Sequence, residues 1–143
     1  MGADRFETES TGKDFDEAFQ RAVDNAFYDY GHAGYTGSIC EKPGAYLIPT
    51  PKGMKAYDVM NVILDAQGIF VWDAATESQA AAFKQVVKWF GQDEAEKIVN
   101  MSDDKWDDAV GIELADDEYG LTPVWHPIPK NEKRFLFFGW ASC

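Results

Sequence analysis

From Phe15 onward, apolar side chains recur at Phe15, Ala18, Phe19, Ala22, Val23, Ala26 and Phe27, a spacing that lines one face of an α-helix. Asp14, Asp16 and Glu17 supply the acidic first turn that suits a helix N-terminus, and Gly31 supplies the stop. Ahead of this helix, Arg5 to Ser10 alternate in part and are broken by Gly12, which predicts a strand. Behind it, Gly31, Gly34 and Gly37 predict an irregular crossover in which Gly34 or Gly37 takes a positive φ. Ser38 to Lys42 and Tyr46 to Ile48 flank Pro43-Gly44 and predict a hairpin.

The stretch from Tyr57 to Leu64 is β-rich by propensity but also carries a helical stripe, and helix is the expectation. Thr76 and Gln79 form a capping box for a helix with an inner face of Ala80, Phe83, Val86, Val87 and Phe90, ending at Gly91. A shorter helix is expected over Asp93 to Asn100, and strands over Val110 to Leu114 and Phe135 to Trp140. Strands at both ends with helices between them predict an α+β fold, residues 1–143 forming a single domain with a small, mainly antiparallel sheet and helices packed on one face. Phe19, Val23, Phe27, Phe83, Val87, Ile112 and Phe137 are expected to share one core. No repeat, linker or low-complexity tract interrupts the pattern.

Composition narrows the function classes. With 143 residues, 45% hydrophobic and 15% aromatic, the chain can bury a core of its own. Twenty-five acidic residues against thirteen basic ones give a net charge of -12, which opposes general binding to nucleic acid or to anionic membrane. The acidity is concentrated: Asp93 to Glu118 holds eleven acids against Lys97 and Lys105. Two cysteines are too few for a disulfide framework, and no secretory leader or membrane-length apolar run is visible, so a soluble cytoplasmic protein is expected. Met1-Gly2 opens no myristoylation signal, because Phe6 stands where Ser or Thr is wanted.

Candidate chemistry is sparse. The glycine-spaced stretch Gly31 to Ser38 follows a helix and precedes a predicted strand, the reverse of a phosphate loop, so a turn is the expected reading. His32, Cys40, His126 and Cys143 lack the short spacing of structural zinc ligands, so neither a metal nor another cofactor is expected. Cys40 is read as a small buried hydrophobe. Tyr35, Thr36, Glu41, Lys42, Glu113 and Trp140 are the polar or amphipathic residues in or beside the glycine turn and strands, forming a polar network or a ligand site. Glu41 alternates with Ile39 and so faces the interior in part, where its carboxylate needs a partner other than Lys42. Asp103, Asp104, Asp107 and Asp108 surround Trp106, making either an acidic interaction surface or a solubilising rim. The expectation is that Trp106 packs into the core and the acids line the rim.

Tyr30 to Lys42 (YGHAGYTGSICEK), Lys105-Trp106 followed by Ile112-Glu113-Leu114, and Phe137 to Ser142 (FFGWAS) together resemble a family of small proteins encoded by bacteriophages and, more sparsely, by bacteria. Its signature is a GYTGTIAEK-like stretch and a FFGWAS-like end, and the resemblance covers most of the chain. Ser38 and Cys40 stand where that pattern has Thr and Ala, and Asp107-Asp108 follow Trp106 where Gly-Pro is usual. The resemblance carries no catalytic residue over. It implies a phage-type accessory protein in the host cytoplasm that inhibits or sequesters a host, defence or phage protein by non-covalent binding. Two alternatives stay open: a small-molecule or nucleotide site, enzymatic or not, near residues 31–42, and a minor virion component.

Overall fold

The computed structural model describes residues 2–30, 36–69, 76–115 and 131–142. Strand β1 (Ala3–Gly12) leads into helix α1 (Phe15–Tyr30), a single 3-10 turn (Ile39–Glu41), strand β2 (Ala45–Ile48), helices α2 (Ala56–Ala66), α3 (Glu77–Phe90) and α4 (Gln92–Asp103), and strands β3 (Ala109–Leu114) and β4 (Lys133–Ser142). The four strands form one sheet in the order β1-β4-β3-β2. β1 with β4 and β4 with β3 run antiparallel, while β2 with β3 runs parallel. The fold is α+β with a mixed sheet.

Local chemistry accounts for the helix ends. Asp14 Oδ1 accepts from the Glu17 amide at 2.8 Å, and Glu17 Oε2 accepts from the Lys13 amide at 2.7 Å, which satisfies donors that the first turn of α1 leaves open. At α3 both halves of the capping box form: Thr76 Oγ1 accepts from the Gln79 amide and Gln79 Oε1 from the Thr76 amide. Gly91 ends that helix at φ 90°, where a side chain would strain the backbone.

Alternation along β4 divides the core in two. Phe135 and Phe137 face α1, where Phe15 meets both rings and Ala18, Ala22, Val23 and Ala26 complete a buried cluster. Leu136 and Phe138 face the other way, packing with Ile48, Val110 and Ile112 of the sheet and with Val59, Ile63, Ile98 and Val99 of α2 and α4. The helices therefore cover both faces of the sheet, not one. The expected single core splits accordingly: Phe19, Val23, Phe27 and Phe137 lie on the α1 side, and Phe83, Val87 and Ile112 on the other. Helix α3 is an outer layer resting on α2 and α4, so only Val86 of its predicted inner face is fully buried.

The predicted hairpin does not form. Glu41 accepts hydrogen bonds from both the amide and the hydroxyl of Thr36, which curls residues 36–41 into a compact turn, and β2 pairs with β3 instead of with the segment before it. Gly37 has a φ of 72°, as the glycine spacing requires, whereas Gly31 and Gly34 lie outside the described residues. Among the described residues no helix is long and apolar enough to cross a membrane.

Candidate functional site

Two neighbouring features occupy the end of the sheet where β1 starts and β4 stops. The first is the turn after Gly37, whose amide donates to the Ser142 carbonyl at 2.8 Å and so fastens the turn to β4. Within it the Thr36 hydroxyl lies 2.7 Å from Glu41 Oε2 and 2.7 Å from Ser38 Oγ, and the Cys40 thiol lies 3.2 Å and 3.0 Å from the Thr36 and Ser38 hydroxyls. Glu41 thus has the partner that a partly buried carboxylate requires, supplied by Thr36.

The second feature is the turn that follows α4. Lys42 leaves the first turn and places its ammonium 5.9 Å from the Phe6 ring centroid, 3.0 Å from the Asp104 carbonyl oxygen and 2.9 Å from that of Asp107. Only 6% of Lys42 is exposed. Its pKa is lowered to about 8 because burial strips water from the charge, an effect that Asp104, Asp107 and Asp108 oppose only in part. The carboxylates above it close the turn on themselves: Asp104 Oδ1 accepts from the Trp106 amide and Asp107 Oδ1 from the Asp108 amide, each at 2.8 Å.

Trp106 sits at the tip of this turn. It is 55% exposed, against the expectation that it packs into the core. Helix α4 ends at Asp103, so the backbone turns outward before position 106 and takes the indole away from the apolar face that Ile98, Val99 and Met101 bury. Lys105 flanks the ring at 5.2 Å from its centroid and donates to the Gly2 carbonyl, linking the turn to the start of β1. Asp104 and Asp107 are exposed, and Asp103 and Asp108 half-buried, so the acids border the indole without enclosing it.

The remaining predicted residues are dispersed. Trp140 faces the α2 side, donating from Nε1 to Gln67 Oε1 at 2.8 Å, and Gln67 in turn donates to both oxygens of Ser102. That is a satisfied structural network. Glu113 is exposed near the opposite end of β3 beside Leu47 and Thr50. Tyr35, His32, His126 and Cys143 lie outside the described residues. Among the described residues no group of three or more His, Cys, Asp or Glu side chains is placed to hold a metal ion.

Sequence reading missed two elements. A buried ion pair joins Arg134 to Glu9 at 3.3 Å, with the Tyr57 hydroxyl donating to the same carboxylate. A cleft of about 440 Å³ opens between β1 and α1. Both depend on pairing residues from distant segments, for which the sequence holds no local signal. Comparison with protein-family models, with curated proteins and with solved structures returns no match to this chain.

Proposed function

We propose that this chain is a small phage-type accessory protein that acts by non-covalent binding, inhibiting or sequestering a host or defence protein, with Trp106 as the anchor of its contact surface. The observation that carries the reading is the exposure of Trp106 on a turn held from beneath by Lys42. Exposing a large aromatic on a soluble surface forfeits the free energy its burial would yield, and tryptophan is among the residues enriched at interface hot spots. A turn already fixed by internal hydrogen bonds loses little entropy when it docks. The surface that fits it is basic, with an apolar slot for the indole, and the carboxylates of Asp103, Asp104, Asp107 and Asp108 speed its approach.

Thr36 and Glu41 occupy one another, and Lys42 is taken up by two carbonyls, which supports protein binding over a small-molecule site built from those residues. The test is capture from host lysate with the wild-type chain, Trp106→Ala, and a variant with all four aspartates changed to Asn. Asparagine keeps the oxygen that closes the turn and removes only the charge. A stoichiometric protein partner lost with Trp106→Ala, and held less tightly by the Asn variant or at high salt, supports the reading. Equal capture by all three chains ends it.

A further inference from the structure

Strand β1 is an edge of the sheet, paired among the described residues only with β4. Which of its backbone groups face outward follows from the ladder. The Ser142 carbonyl accepts from Gly37, so it is turned away from β1, and in an antiparallel pair the groups of its partner Ala3 then face away from β4 as well. The alternation repeats every second residue, so the N–H and C=O groups of Arg5 and Glu7 also point outward. Asp4, Arg5 and Glu7 are exposed.

Natural edge strands are blunted by lysine, proline or bulges. β1 contains neither residue type, and its register with β4 runs unbroken from Ala3 to Gly12. Its guard is charge. Asp4 on the α1 face and Glu7 on the opposite face, with Asp29 across the cleft, set three exposed carboxylates against the single guanidinium of Arg5 around this edge. That arrangement repels a second copy of a chain with a net charge of -12 and attracts a basic one. The cleft between β1 and α1 continues into a smaller one of about 190 Å³, with Asn25 lining both, so a groove follows the strand along its length.

We propose that the outer edge of β1, from Ala3 to Thr8, receives an extended segment of a partner protein bearing lysine or arginine. The segment adds to the sheet as a further strand: its amides and carbonyls pair with those of Arg5 and Glu7, and alternate side chains enter the groove against α1. The edge and the Trp106 turn share no residue, so each proposal stands or falls alone.

The test is fluorescence anisotropy on the full chain with labelled peptides about eight residues long, alternating Lys with Val, Arg with Thr, or Glu with Val. Both basic peptides should bind saturably and the acidic one should not. N-methylation of alternate peptide amides, or the substitution Glu7→Pro, should weaken binding at least about tenfold. A folded Asp4→Lys/Glu7→Lys/Asp29→Lys variant should weaken it too, independently of any strain from proline. On binding, the Arg5 and Glu7 amides should become protected from hydrogen exchange. Failure of both basic peptides to saturate, equal binding of the Glu/Val peptide, or indifference to N-methylation overturns the proposal. So does a concentration-dependent dimer abolished by Glu7→Pro, which assigns the edge to a second copy.

Discussion

Lys42 and Asp107, 65 residues apart in the chain, are joined by a hydrogen bond from the ammonium to the Asp107 carbonyl oxygen. One buried charge thereby organises a turn whose own side chains are mostly in solvent. Lys42→Met should retain the packing of the stem and leave two carbonyls without their donor, costing about 1.5 to 3 kcal/mol in urea denaturation. Broadening of the Trp106 indole resonance should accompany the loss. A change below about 0.5 kcal/mol with an unaltered indole signal refutes the anchoring role.

The same lysine sets a pH dependence. Its pKa falls from 10.5 in the unfolded chain to about 8 in the fold, so between those values the unfolded state binds more protons. The cost of holding a desolvated ammonium is present in full below about pH 8 and is relieved as pH rises toward 10.5, so this group's contribution to stability increases across that window. Urea midpoints for the wild type minus those for Lys42→Met should rise over the same range. A flat difference contradicts the shift.

The two-sided core predicts independence. Val23→Ala on the α1 face and Ile63→Ala on the α2 face lie in clusters separated by the sheet, so their stability losses should add within about 0.5 kcal/mol. A coupling energy above about 1 kcal/mol indicates that the sheet transmits repacking from one face to the other.

A Cβ placed on Gly111 runs into the ring of Phe15. Gly111→Ala should cost about 1 to 3 kcal/mol by overpacking, and Phe15→Leu should recover part of the loss in the double variant. Thermal unfolding of the two single variants and the double variant measures the recovery, and strict additivity disproves the contact.

Glu9 and Arg134 have almost no solvent contact. Removing one partner strands the other charge, so Arg134→Met should cost about 3 to 5 kcal/mol, while joint replacement of both by apolar residues should cost less. Chemical denaturation distinguishes the two outcomes, and equal losses refute charge stranding.

Where the sequence was legible, the signal was local. The α1 stripe from Phe15 to Phe27 and the Thr76/Gln79 cap each depend on residues within one or two turns, and both elements form where the pattern placed them. The hairpin around Pro43-Gly44 failed because a side chain decided the matter: the Glu41 carboxylate captured Thr36, which no strand propensity encodes. Trp106 was misassigned because its fate hangs on where α4 ends, and the acids that suggested a rim also close the turn that lifts it out. Of the proposed ligand-site residues that the structure describes, Thr36, Glu41 and Lys42 come together beside the Trp106 turn. Trp140 and Glu113 lie on the sheet away from that turn, because strand order and parity decide position and neither is written in a single segment.

The pairing of Ala3 with Ser142 also bears on how fast the fold is reached. The longest ladder joins the first strand to the last, so its entropic closing cost must be met before any of its hydrogen bonds can form. Helices α2 to α4 can assemble early from near neighbours, while β1 waits for β4 with both edges bare. Refolding should therefore be slow for a chain of this size, with a late phase that tracks sheet completion. Through that interval the carboxylates of Asp4, Glu7 and Glu9 are what separate a waiting strand from an aggregating one.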